Sequence, residues 1–206
     1  MPVRGEARAV SIDDESLRTL QAAGVFERVL PDLVYGDSMT LWSGSREIRL
    51  FSVTGDASGS TVMYLPAEHL LVTGDALVSP EDGRGPPPWT TTNYAITPWI
   101  ESLRRLDALD VATIVPGQGP AMHDKAYLER TIRLFAAVRA QARAALQRGL
   151  VKSADIEAAV DVDEIGREFM MDGAAPGPDF HHWVASLARK AAQEATDAAL
   201  RLPPQP

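Results

Sequence analysis

Residues 39–75, MTLWSGSREIRLFSVTGDASGSTVMYLPAEHLLVTGD, constrain the fold more than any other stretch. Apolar and polar residues alternate through it in short runs, and the runs are separated by clusters of turn residues. A period of two is the signature of a half-buried strand. The turn at Ser43, Gly44 and Ser45 closes one hairpin, and the turn at Pro66 to Glu68 closes a second. Two hairpins in direct succession predict an antiparallel sheet. Upstream, ARAVSI (7–12) reads as a buried strand. DDESLRTLQAAG (13–24) reads as a short helix with an acidic first turn and Gly24 as its stop.

Beyond Asp75 the pattern changes twice. ALVSPEDGRGPPPWTTTNYAIT contains three consecutive prolines and two nearby glycines, which rule out regular structure and predict a long loop. TPWIESLRRLDALD restores helical spacing, with Thr97 as the expected N-cap and Pro98 at the first helical position. VATIVPGQGP is a β-branched run that stops at Pro116. Strand, helix, strand in that order means α/β layering.

From Lys125 onward the composition shifts to Ala, Arg, Gln, Leu and Glu, predicting a helical extension. KAYLERTIRLFAAVRAQARAALQRG reads as a long amphipathic helix closed by Gly149. SADIEAAV follows with Ser153 as the N-cap of an incomplete capping box, and PDFHHWVASLARKAAQEATDAALRL as a final helix. Phe135, Val138, Leu146 and Trp183 fall on packing positions. Arg130, Arg133, Arg139 and Arg143 are expected to form a solvated face. The chain therefore divides into an α/β domain at 1–124 and a helical extension at 125–206 ending in a short disordered tail.

Charge and residue usage exclude several classes of function. Twenty Lys plus Arg against 28 Asp plus Glu leave a net charge of −8, and the basic residues are scattered. Neither nucleic acid nor an anionic membrane is an expected partner. With no cysteine, disulfides, thiolate metal sites and Cys nucleophiles are excluded. No stretch approaches the roughly 18 apolar residues of a spanning helix, and the N-terminus has no signal-peptide pattern. A cytoplasmic location is the expectation.

Three strand-end turns, TGDASGST, VTGDAL and VPGQGP, fall in a familiar order with a strand between each pair. In order and spacing they resemble the second half of the metallo-β-lactamase fold superfamily, over residues 6–148. The resemblance implies a partial αββα sandwich. It also implies one or two zinc or iron ions held by histidines and carboxylates at strand ends, activating a water that attacks an ester, thioester, amide or phosphoester.

Carried over by position, Asp75 matches the bridging aspartate, while Asp56 and Gln118 stand where the family has histidines. The family's His-x-His-x-Asp-His turn is absent, since the only histidines are His69, His123, His181 and His182. The first half of the fold is expected to be missing with it, leaving an apolar sheet face or edge open.

Asp56 also reads as an ordinary turn residue bonded to its own backbone, Asp75 as a carboxylate capping a nearby amide, and Gln118 as part of a tight turn. The candidate catalytic and metal-binding residues are thus Asp75 and Asp56. The candidate ligand-binding residues are Trp89, Tyr94 and Gln118. His69 and His123 are expected at the surface, and adjacent His181 and His182 point about 100° apart on a helix and cannot chelate one ion.

The leading expectation is a hydrolase-family protein with a degenerate metal site, holding no metal or zinc only weakly, catalytically weak or inactive, and binding a partner or small ligand. Two alternatives stay open. One is an active metal-dependent hydrolase completed by another chain or a missing N-terminal segment. The other is an interaction module that dimerises to cover the open sheet.

Overall fold

The structure, a computed structural model, describes residues 22–24, 35–55, 58–79, 95–170 and 175–201. The ARAVSI segment, Asp56, Trp89, Tyr94 and most of the proline-rich segment lie outside these residues, as does the expected first helix except for 22–24.

Five strands make one sheet in the order β1 (Ser38–Ser43), β2 (Arg46–Thr54), β3 (Ser58–Leu65), β4 (Leu70–Gly74) and β5 (Thr113–Pro116). The first four are antiparallel, as the alternating pattern predicted, and both hairpins turn where expected. β5 pairs with β4 in parallel. A parallel neighbour demands a crossover, and helix α1 (Ile96–Asp107) lies on that connection. α2 (Ala126–Gln147), α3 (Ser153–Ala158), α4 (Val162–Phe169) and α5 (Pro178–Arg201) follow. Helix α4 was not foreseen, although Asp161 caps it by accepting from the Glu164 amide at 2.9 Å.

Residues directly opposite each other across strands share a face. Val53, Val62, Tyr64, Leu71 and Ile114 lie on one face and are buried against Ile96, Ile100, Leu103 and Leu106 of α1. The same core continues through α2 to α5, where Tyr127, Phe135, Phe169, Phe180 and Trp183 make edge or tilted ring contacts with centroids 5.7–5.9 Å apart. Phe135, Val138 and Trp183 are buried and Leu146 packs against them, as their spacing predicted.

The opposite face carries Met39, Leu41, Ile48, Leu50, Met63, Leu70, Val72 and Val115. None of these eight joins the core cluster of the described residues, although Leu65, opposite Leu70 on the same face, is buried. The charged side chain among the described strand residues on this face is Arg46, at the hairpin end, with Nε 2.6 Å from Glu68 Oε1.

Three expectations are corrected. Thr97 does not cap α1: the N-cap is Ala95, which has no capping side chain. The carboxylate of Glu194, on α5, instead accepts from the amides of Ile96 and Thr97, the latter at 3.0 Å. Ser153 is the first residue of α3 and Lys152 its N-cap, so no capping box forms. Arg130 does not share the solvated face of Arg133 and Arg143. It is 8% exposed, because it lies one turn from Tyr127 and one turn from Leu134 on the buried stripe of α2.

Candidate functional site

The three strand-end turns meet at one corner of the sheet. Strand β4 ends at Gly74, and the following residues fold back on it, with Ala76 N donating to Thr73 O at 3.2 Å. Buried Thr73 turns its hydroxyl inward toward the carbonyls of Gly74 and Leu77, both at 3.2 Å. The turn after β5 is stitched to this one: Gly117 N donates to Gly74 O at 2.9 Å, and Ser79 N donates to Gln118 O at 3.1 Å.

The contacts are tight enough to select glycine. A Cβ on Gly117 would stand 2.3 Å from Asp75 Oδ1 and 2.6 Å from the Gly74 carbonyl carbon, so the Asp75 carboxylate lies directly over the Gly117 backbone. Gly119, at φ +94°, packs equally close to the Ser79 hydroxyl and carbonyl. A Cβ on Gly55, the residue before Asp56, would stand 2.8 Å from Ala76 Cα. Asp75 and the Gln118 turn are therefore together. Asp56, Trp89 and Tyr94 fall outside the described residues.

The histidines are engaged elsewhere or exposed. His69, at φ +49° in the β3–β4 turn, sits 3.1 Å from Asp110 Oδ2, and His181 Nε2 is 3.6 Å from Asp163 Oδ1. His69 and His123 are exposed, as the sequence predicted, and His182 is exposed as well. Among the described residues no three His, Asp or Glu side chains are grouped so as to hold a metal ion.

Sequence reasoning missed the wall behind this corner. Trp99 donates from its indole nitrogen to Ala76 O at 2.9 Å, and the Tyr127 hydroxyl donates to Val78 O at 3.3 Å. Ser79, 1% exposed, has a hydroxyl with no partner. The guanidinium of Arg130 stacks over the rings of Tyr127 and Phe169, 5.4 and 5.6 Å from their centroids. Its Nε and Nη1 have no hydrogen-bond acceptor, and burial pushes its pKa below the ordinary arginine value. The available signal was positional: Arg130 falls between Tyr127 and Leu134 on the apolar stripe of α2.

Residues 44–118 match the family model for the metallo-beta-lactamase superfamily. No curated protein matches the chain. Among solved structures the chain is similar to the stereoselective inverting sec-alkylsulfatase Pisa1 from Pseudomonas sp., with 15% identity and a TM-score of 0.58, over 86% of this chain and 29% of the sulfatase. It is also similar to a metallo-beta-lactamase family protein from Thermus thermophilus, with 21% identity and a TM-score of 0.49, over 93% of this chain and 62% of that one. The chain thus spans less than two thirds of either protein, and the likeness to the sulfatase is one of fold.

Proposed function

We propose, from the match of residues 44–118 to the metallo-beta-lactamase superfamily model, a hydrolase-family protein whose metal corner is altered, weak or inactive in hydrolysis, acting by binding a small ligand or a partner. The supporting observation is the chemistry of the corner. Family members hold zinc or iron there, but the described donors are one carboxylate, Asp75, and one neutral carboxamide, Gln118. A zinc site needs three or four protein ligands from imidazole, thiolate or carboxylate. The described residues do not by themselves fit such an ion.

What the corner retains is shape: three turns locked by glycine contacts, an aspartate over a backbone, and aromatic rings behind them. Metal analysis of the purified protein, with ester and thioester hydrolysis assays, tests this reading. Substoichiometric zinc, iron and manganese without hydrolysis is the expected result. Stoichiometric metal that disappears in Asp75→Ala would overturn it in favour of an active metallohydrolase.

A second reading rests on the apolar sheet face. Its eight aliphatic and methionine side chains stand outside the core, and a second copy of the chain would cover them, completing two sheets between two helical layers. Light scattering that finds a dimer supports this, and a stable monomer removes it.

A further inference from the structure

We infer that a cleft beside the C-terminal end of α1 binds a small organic carboxylate, with its apolar body inside and its anionic group on Arg105. The cleft has a volume of about 250 Å³ and is lined by Phe51 and Val53 of β2 and by Arg105, Leu106, Ala108 and Leu109. Val53 and Leu106 are buried and make its floor. Phe51 and Leu109 are half-buried, and Arg105 and Ala108 are exposed at its rim. The cleft is separate from the strand-end corner. Trp99 reaches that corner through Ala76 O, and Leu106 lies about 10 Å further along the axis of the same helix. Between them Ser102 Oγ accepts from Thr54 N at 2.9 Å, fastening α1 to the end of β2.

All the lining residues except Arg105 are hydrocarbon or aromatic, so the interior favours an apolar group. The volume lies below the ~300–1,000 Å³ of pockets for drug-sized ligands, which limits the occupant to a short chain or a single ring. Arg105 supplies the charge. Among the described residues it has no salt bridge or hydrogen-bond partner. The nearest carboxylates in sequence are engaged, Asp107 with Lys125 at 3.6 Å and Asp110 with His69 at 3.1 Å. Arg49, two residues before Phe51 on the same face of β2, is held by Glu47 at 2.8 Å. A guanidinium without a counter-ion at the rim of an apolar cleft matches a carboxylate, whose two oxygens accept from its paired N–H donors. The cleft thus gives the small-ligand part of the proposed function a place and a ligand class. It rests on that reading only for its biological role: metal analysis tests the corner and carboxylate binding tests the cleft, so each can fail alone.

Titration of the ¹⁵N-labelled full chain with hexanoate, butanoate and hexanamide, followed in amide correlation spectra at constant ionic strength, tests the site. Hexanoate should shift the amides of Phe51, Val53, Arg105, Leu106 and Leu109 saturably. Butanoate should need about tenfold more, because two fewer CH₂ groups enter the cleft. Hexanamide, which has the same shape without the charge, should need at least fivefold more. Arg105→Gln should raise the hexanoate midpoint to that of hexanamide and leave the hexanamide midpoint unchanged. Ala108→Trp, which blocks the rim, should remove the shifts with both. Arg105 and Ala108 are exposed, so both variants should keep the wild-type spectrum away from the cleft. No saturable shift, shifts centred on Gly74–Leu77 and Gly117–Gly119, or an equal hexanoate midpoint in wild type and Arg105→Gln would overturn the proposal.

Discussion

Gly117 shows how little room the strand-end corner leaves. Any side chain there meets Asp75 Oδ1 at 2.3 Å, Gly74 C at 2.6 Å and Asp75 N at 2.8 Å. Two of those three atoms are backbone and cannot rotate away. Gly117→Ala should therefore cost about 2–3 kcal/mol, read as a lower urea midpoint. Adding Asp75→Ala should not restore it, because the Gly74 and Asp75 backbone contacts remain, whereas full recovery would place the strain on the carboxylate alone. The positions of Asp75 and Gln118 were legible in the sequence because Thr-Gly-Asp and Pro-Gly-Gln-Gly each follow a recognisable strand. Arg130 was not, since its charge outweighed its place on the helical stripe, and only the packing of Phe169, 39 residues later, reveals the aromatic box.

Helix α1 illustrates the limit at the level of elements. Its existence followed from apolar spacing, but the helical pattern was read through to Asp110 where the helix ends at Asp107, and its cap was assigned to Thr97. Local rules look for a cap within a few residues. The capping acceptor is Glu194, 98 residues from Ile96, and no local pattern announces it. One carboxylate thus satisfies two otherwise orphaned amides and fastens α5 to the start of the helix that crosses between β4 and β5. Glu194→Ala should destabilise the protein by about 1–2 kcal/mol, with Glu194→Gln intermediate because its carbonyl still accepts one bond. An alanine variant as stable as wild type in chemical denaturation would show that water replaces the carboxylate at no cost.

At the scale of the whole molecule the sheet is two-faced in an unusual way. One face lies under α1 and joins a core that runs on to α5. The other presents aliphatic and methionine side chains from all five strands, with Arg46 at its rim neutralised by Glu68. Alternation of residues along β1 to β4 made the two faces legible, but a sequence does not say what lies beyond the second one. Two such sheets would pack about 10 Å apart with their apolar faces interleaved. A chain of net charge −8 repels its own copies, yet this face brings no net charge to the contact. Leu50, opposite both Met39 and Met63, sits where three strands meet on it. If a second copy covers the face, Leu50→Lys should convert a dimer into a monomer in light scattering while leaving the far-ultraviolet circular dichroism unchanged, because a lysine there would otherwise be buried without a partner. A wild-type monomer, or a Leu50→Lys dimer of undiminished affinity, would place the contact elsewhere or remove it.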